Sequence, residues 1–462
     1  MTLIKSISGI RGTIGGMPGD NLTPIDTVKF AAAYGRMLLA AYPDTKVKVV
    51  IGRDARLSGA MVSQLVSATL NGLGIDVIDL GLSTTPTVEI AVPMESAQGG
   101  IILTASHNPV QWNALKLLDH RGEFISAEAG AEVISLAENL DFEFAGVHDL
   151  GAYRTDDTYL NKHIKLVCDH PLVNRDAIAA ANFHVALDAV NSTGGLFIPP
   201  LLEALGVHKI EKLYCEPSGV FPHNPEPLPE NLVELSKKVI INHCHLGIAV
   251  DPDVDRLAFV NENGEMFGEE YTLVAVADYV LSKTPGNSVS NLSSTRALRD
   301  VTEKRGGFYA ASAVGEVNVV ELMKATRAVI GGEGNGGIIV PDLHYGRDAL
   351  IGIALFLSHL ATSGKSMSQL RASYPSYHMS KNKIELTPGM DVDAVLKKVA
   401  DNHAIDTVNL IDGVKIDFAR EWVHLRKSNT EPIIRIYAES ATEAKAIQLA
   451  EGIISEIQAL IS

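Results

Sequence analysis

Cysteine is scarce in this chain: Cys168, Cys215 and Cys244 lie far apart, with no C-x-x-C pair. An odd, scattered set excludes a disulfide framework and a cysteine zinc cage, and a reducing compartment is the simplest setting. Basic charge is also in short supply. Lys and Arg number 39 against 55 Asp and Glu, giving a formal net charge of −16. A phosphate-tracking surface needs a broad basic field, so general binding to nucleic acid or to an anionic membrane is disfavoured. One small basic pocket for a single phosphate remains compatible with that balance. Long apolar runs are missing too. The most apolar helical candidate, Leu350 to Ala361, contains Ser358 and His359 and falls short of the roughly 20 residues that span a bilayer. The opening M-T-L-I-K-S-I-S-G-I-R-G carries Lys5 and Arg11 and has no run suited to a signal peptide. A cytoplasmic protein is expected.

What is present suits a folded chain of several domains. Apolar residues make up 46% and charged ones 20% of 462 residues, a composition that can bury several cores. One local pattern recurs. A short apolar run ends in a Gly- or Asp-rich loop at Val47 to Ile51, at His184 to Leu187, at Leu246 to Val250 and at Ala328 to Ile330. Continuous apolar runs without alternation suit strands buried on both faces, and ligands gather at the carboxyl ends of such strands. From Lys383 onward, strand-like K-I-E-L, V-K-I-D-F and I-I-R-I-Y-A are joined by a helical stretch near Asp391 to His403. The chain closes on an amphipathic helix with Ala450, Ile453, Ile454, Ile457 and Leu460 on one face, and Ser440 with Glu443 forms a plausible capping box. The expected fold is α/β: three similar mixed-sheet α/β domains around a central cleft, then a smaller C-terminal α+β domain. Their boundaries are placed at residues 1–150, 151–258, 259–370 and 371–462.

Four motifs carry chemistry. T-A-S-H-N-P, Thr104 to Pro109, follows the apolar strand G-G-I-I-L, and Asn108-Pro109 enforces a turn. A serine there is exposed at a strand end, but Ser106 lacks the G-x-S-x-G elbow of serine hydrolases. Ser106 is a nucleophile, or Ser106 and Asn108 cap the turn; the residue types leave both open. D-P-D-V-D-R places Asp251, Asp253 and Asp255 at alternate positions after the strand L-G-I-A-V. Crowded carboxylates repel, and a hard cation explains them better than a solvated acidic turn. An EF-hand needs glycine where Arg256 stands, so that reading is rejected. A haloacid-dehalogenase-type phosphatase is weakened by Asp255 at the fifth position, without being removed. G-E-G-N-G-G, Gly332 to Gly337, offers Glu333 and Asn335 to ligand hydroxyls, although alone it reads as a glycine-rich turn. In R-K-S-N-T-E-P-I-I-R, Arg426, Lys427 and Arg435 surround a Ser-Asn-Thr loop: a phosphate site, or a solvated hairpin loop.

Taken in order with S-G-I-R-G and G-R-D-A-R-L-S-G, these motifs resemble the α-D-phosphohexomutase family over essentially the whole chain. The resemblance implies four domains, the last closing over a cleft. It implies that Ser106 carries a phosphoryl group and that Asp251, Asp253 and Asp255 bind Mg²⁺ together with an oxygen on Ser106. Glu333 and Asn335 would touch sugar hydroxyls, and Arg426, Ser428, Asn429, Thr430 and Arg435 would hold the non-reacting phosphate. Arg11, His107, Lys116 and Arg256 would support them. A hexose phosphate is the implied substrate, a hexose 1,6-bisphosphate the activator and intermediate, and a monomer or homodimer the implied assembly. The chain departs from the family pattern in places: Ala114 follows Asn113 where a glycine is usual, A-V-N-S-T-G-G replaces a Gly-Asn-Gly-type turn, and Asn335 stands where many relatives have serine. G-E-G-N-G-G is similar to the loop of phosphoglucosamine mutases and archaeal-type hexomutases, which favours glucosamine phosphate; S-N-T-E-P favours the mannose and glucose phosphates. A Mg²⁺-dependent sugar phosphatase and a non-catalytic phosphosugar-binding protein are the rivals from other classes.

Overall fold

Apolar runs that end in polar loops set the architecture. The computed structural model of the chain describes residues 2–6, 9–385, 391–427 and 433–461. The first run becomes the strand Lys48–Arg53 inside a seven-stranded sheet. It runs parallel to Gly99–Leu103 on one side and to Asp76–Leu82 on the other. Trp112–Leu118 then pairs antiparallel with Gly99–Leu103, and Gly9–Thr13 antiparallel with Trp112–Leu118. Successive side chains point to opposite faces. Val49 and Ile51 therefore pack into the core that holds Phe30 and Val66, while Val50 packs with Val88 and Val92. Both faces are covered, which is why the run is continuous rather than alternating.

Leu246–Val250 lies between His184–Asp188, parallel to it, and Leu257–Asn261, antiparallel, in a four-stranded sheet. Further on, Asn287–Asn291 is flanked by the parallel strands Tyr309–Ser312 and Ala328–Glu333. The last sheet is antiparallel throughout, in the order His378–Glu385, Ile433–Ser440, Trp422–Lys427, Val414–Asp417, Thr407–Asn409. Helices Val392–Asn402 and Glu443–Ile461 cover it, with Val399, Ile453 and Ile457 buried against Ile416, Val423 and Ile436. Three α/β sheets followed by a C-terminal α+β domain on an antiparallel sheet are thus present, as the patterning predicts. Among the described residues no helix is long and apolar enough to cross a membrane.

One local expectation fails. Ser440 is the last residue of the strand Ile433–Ser440, and its hydroxyl donates to Glu421 Oε2 at 2.8 Å. It caps nothing. Thr442, closer to the helix, accepts the Lys445 N–H at 3.4 Å instead. A half-buried carboxylate, Glu421, holds the serine in the sheet, where residue type alone suggested a cap.

The chain divides into two compact units, Met1–Thr272 with Asn335–Ser368, and Leu273–Gly334 with Gln369–Ser462. Within the second unit, a buried polar cluster fastens the antiparallel sheet to the helix Arg296–Lys304. Arg296 Nη2 donates to Asp417 Oδ1 at 3.1 Å and to the carbonyls of Phe418 and Glu421 at 3.0 Å. Glu439 Oε1 accepts from Trp422 Nε1 at 2.7 Å and from the Arg296 N–H at 3.0 Å. Lys415 Nζ donates to the Leu292 carbonyl at 2.8 Å and lies 4.3 Å from the Trp422 ring centroid. Burial outweighs the pull of Asp417 and Glu439 and pushes the Lys415 ammonium down to about 8.

That shift has a sign. Between about pH 8 and 10.5 the unfolded chain, with an ordinary lysine, binds more protons than the folded one. Stability contributed by this group therefore rises with pH across that window and not below it. Denaturant unfolding of wild type and Lys415→Met should show the rise only in the wild type. Parallel pH profiles for the two proteins would contradict it.

Candidate active site

The site is built on strand ends of the first unit. Past Leu103 the chain turns at Ala105, whose carbonyl accepts the backbone N–H of Asn108 at 3.0 Å and its side-chain Nδ2 at 2.9 Å. Asn108 does cap the turn. Ser106 does something else. It takes a left-handed φ of 48°, uncommon for a residue with a side chain, and sends its Oγ to Asp251 Oδ2 at 2.7 Å. Its N–H donates to Thr104 Oγ1 at 2.9 Å, and its carbonyl accepts from Arg56.

The D-P-D-V-D-R turn is closed by its own first carboxylate. Asp251 Oδ1 accepts the backbone N–H of Asp255 at 3.2 Å and of Arg256 at 3.1 Å, with Val254, just before Asp255, left-handed at φ 62°. Each aspartate is 0% exposed, and one ligand atom from each lies within 4.8 Å of the others. Lys116 Nζ reaches Asp253 Oδ2 at 2.8 Å and Asp255 Oδ2 at 3.6 Å. Arg347 Nη2 reaches Asp255 Oδ2 at 2.7 Å, and the Thr85 hydroxyl donates to Asp253 Oδ2 at 2.6 Å. Asp253 Oδ1 and Asp255 Oδ1 are buried with no hydrogen-bond partner among the described residues.

The electrostatics follow. Burial, then the charges of Asp255 and Asp253, pushes the Asp251 carboxyl well above the usual carboxylate range. Burial would raise Asp253 as well, but Lys116 and Thr85 overcome it and hold that carboxyl low. Burial disfavours the Lys116 ammonium, yet Asp253 and Asp255 outweigh it and raise its pKa, so this lysine stays protonated. Carboxylate oxygens left unpartnered in a dry pocket are a donor set for a hard divalent cation.

The other predicted residues distribute between the two units. His107 is half-buried with Nδ1 3.4 Å from Ser106 Oγ; burial, then Arg256, lowers its pKa well below that of an ordinary imidazole. Arg256 Nη1 lies 3.4 Å from Glu226 Oε1. Arg11 is in register with Ala114, two residues from Lys116, so both cations project from one face of the first sheet. Asn335 Oδ1 accepts the Gly337 N–H at 3.3 Å within its own turn.

In the second unit, Glu333 Oε1 accepts from Asn291 Nδ2 at 2.9 Å and from the Gly315 N–H at 3.3 Å. The neighbouring Val314 N–H donates to Asp412 Oδ2 at 3.0 Å, which in turn lies 3.5 Å from Arg426 Nη1. Glu333 and Arg426 are therefore tied through Gly315, Val314 and Asp412. Arg426 sits directly opposite Arg435 across the antiparallel ladder, and Lys383 is opposite Arg435 on the other side. Ser428, Asn429 and Thr430 lie outside the described residues.

Arg347, Thr85 and Arg56 were not among the candidates read from sequence. Arg347 precedes Asp348, which caps the apolar helix Ala349–Ser363 by accepting the Leu350 N–H at 2.7 Å, so R-D before an apolar run was the available signal. A Cβ at Gly337 would sit 2.3 Å from Arg347 Cδ. The last glycine of G-E-G-N-G-G thus makes room for an arginine side chain.

Comparison with known proteins agrees with this geometry. Residues 3–144, 157–264 and 268–377 match domains I, II and III, each alpha/beta/alpha, of phosphoglucomutase/phosphomannomutase, and residues 382–456 match its C-terminal domain. A phosphoglucomutase/phosphomannomutase of Thermococcus kodakarensis is 35% identical over 449 residues, covering 95% of this chain and 96% of the relative. A protein of Methanopyrus kandleri named "Probable phosphoglucosamine mutase" is 32% identical, covering 98% and 97%. A phosphoglucomutase/phosphomannomutase family protein of Burkholderia thailandensis superposes with a TM-score of 0.85 at 26% identity, covering 99% of this chain and 98% of that one. Fold and relatives together define an isomerase of the phosphohexomutase class. The chain belongs to the phosphoglucomutase/phosphomannomutase family.

If the aspartates hold a cation, removing one charge at nearly constant volume should abolish that binding and spare the fold. Divalent cation should raise the melting temperature of the wild type and leave Asp253→Asn unmoved, because only a ligand of the native state stabilises it. Equal shifts in both proteins would remove the metal reading.

Proposed function

We propose that this chain moves a phosphoryl group between O6 and O1 of a hexose phosphate, with Ser106 as carrier and a hexose 1,6-bisphosphate as intermediate. The observation that carries this is the Ser106 hydroxyl donating to Asp251 at 2.7 Å inside a buried triple-aspartate turn. Asp251, Asp253 and Asp255 would hold Mg²⁺, which when bound supplies positive charge to the oxygens of a transferring phosphoryl group. Lys116, kept protonated, suits the same charge stabilisation from the protein's side. His107, kept neutral beside Ser106 Oγ, is in the state a proton acceptor needs.

The cycle starts from phosphorylated Ser106. Its O–P bond breaks as the free hydroxyl of a sugar monophosphate bonds to phosphorus, and the hydroxyl proton passes by way of His107 to the departing Ser106 Oγ. The bisphosphate then presents its other end and returns that phosphoryl group to Ser106. The non-reacting phosphate would lie on Arg426 and Arg435 with Ser428, Asn429 and Thr430. Arg426 and Arg435, directly opposite on the ladder, bring two guanidinium forks side by side, a setting that suits a phosphate. Glu333 and Asn335 would take sugar hydroxyls, with Arg256 and Arg11 assisting at the phosphates. A phosphatase using Asp251 as nucleophile finds less support, since both of its carboxylate oxygens already accept hydrogen bonds. The scattered free cysteines suit a cytoplasmic enzyme, active as a monomer or homodimer.

Intact-mass measurement of the purified protein should reveal a fraction about one phosphate heavier that disappears in Ser106→Ala, as covalent catalysis requires. Added mass persisting in the alanine variant would place the carrier elsewhere.

Glucosamine phosphate is the favoured sugar, supported by the G-E-G-N-G-G loop and by the Methanopyrus kandleri relative's name. The S-N-T-E-P element and the name of the Thermococcus kodakarensis relative support mannose and glucose phosphates. Interconversion of 1- and 6-phosphates should occur with all three sugars, with glucosamine preferred by roughly 10–200-fold in kcat/KM. A tenfold preference for mannose or glucose would reassign the sugar and leave the mutase standing. Release of inorganic phosphate without isomerisation would indicate a phosphatase, and binding without turnover a phosphosugar-binding protein.

A further inference from the structure

G-R-D-A-R-L-S-G has no part in the cycle so far, yet it holds Arg56, a guanidinium only 1% exposed. Buried arginines need a partner for every donor. Nε donates to Asp54 Oδ2 at 3.0 Å. Nη1 donates to the carbonyls of Pro109 at 2.8 Å and Trp112 at 2.9 Å. Nη2 donates to the carbonyls of Asn108 at 2.7 Å and of Ser106. Each N–H of the fork is used, and all but one go to the backbone of the Ser106 loop.

The Ser106 residue is gripped from its other end by the same pair. Asp54 Oδ2 accepts the Thr104 hydroxyl at 2.7 Å, and Thr104 Oγ1 accepts the Ser106 N–H at 2.9 Å. The loop also reaches the aspartate turn. Ala55 N–H donates to Ser192 Oγ at 3.3 Å, and Ser192 Oγ and Thr193 Oγ1 donate to the Pro252 carbonyl at 2.7 and 2.9 Å. Phe221 lies 5.2 Å from the guanidinium, and Gly219 approaches so closely that a Cβ there would be 1.9 Å from the Ala55 carbonyl oxygen.

We propose that Arg56 is a positioning residue for phosphoryl transfer: with Asp54 and Thr104 it holds Ser106 in the left-handed conformation that aims Oγ at the aspartate turn. This rests on Ser106 being the carrier. Arg56 touches no reacting atom and acts through the serine backbone. A lysine keeps the charge but lacks the planar fork, so it cannot reach Asp54 and the separate carbonyls together.

The test uses the full-length chain with Mg²⁺, dephosphorylated and then offered glucose 1,6-bisphosphate, with phosphoryl uptake on Ser106 followed by intact mass. Arg56→Lys should slow uptake and lower kcat by about 100-fold, the effect of a misplacement near 1 Å, while KM changes little. Activity lost only in proportion to the folded fraction, with uptake by the folded molecules unchanged, overturns the proposal. If Arg56→Lys does not fold, Thr104→Val decides, because it removes the link between Asp54 and the Ser106 N–H while keeping the side-chain shape. Uptake slowed on the order of tenfold supports the role, and unchanged uptake overturns it. A wild-type chain that takes up no phosphate fails the carrier reading itself; a labelled wild type with a normally labelled Arg56→Lys fails the role of Arg56 alone.

Discussion

Three carboxylates forced together in a buried turn are the constraint around which the first unit is organised. Their mutual repulsion in a dry environment has to be met locally, and the chain meets it from several directions. Lys116 arrives from an antiparallel strand, Arg347 from the residue before a helix cap, and Thr85 from the first turn of another helix. Backbone N–H groups of the turn itself neutralise one oxygen of Asp251. Oxygens on Asp253 and Asp255 nevertheless have no hydrogen-bond partner among the described residues, so compensation stops short of completion where a cation would fit. Ser106 adds its hydroxyl to this group through Asp251.

The second unit poses the opposite electrostatic problem. Arg426 and Arg435 face each other across a ladder, and Asp412 lies 3.5 Å from Arg426. Here an excess of positive charge is held on strands, which are stiffer supports than loops. The two sites share one logic. Each concentrates charge of one sign, in a turn in the first unit and on strands in the second, which is what a ligand of the other sign requires.

Much of this was legible from residue order, and the exceptions have physical causes. The run Leu246 to Val250 is the observed strand without change, because a continuous apolar segment closed by D-P-D-V-D-R admits little else. Lys48–Arg53 extends past the predicted end at Ile51, since its ladder partner Leu103 carries the pairing on to Arg53. Arg347 was invisible because its partner Asp255 is 92 residues away. Arg56 sat inside a recognised motif, but a lone arginine is ordinarily read as surface, and the carbonyls it binds lie about fifty residues downstream. The glycines of G-E-G-N-G-G were legible as a need for space, whereas the occupant of that space, the Arg347 side chain, was not.

The left-handed backbone at residue 106 also decides which amino acid can stand there. Serine and threonine offer the same hydroxyl chemistry, and nucleophilicity does not separate them. At a φ of 48°, however, a branch at Cβ crowds the adjoining peptide groups. Sparsely populated backbone regions already carry strain of about 1–3 kcal/mol, and a second substituent adds to it. Threonine at this position would push φ back toward negative values and swing the hydroxyl off Asp251. The choice between two chemically equivalent alcohols is thus made by steric crowding at a single Cβ.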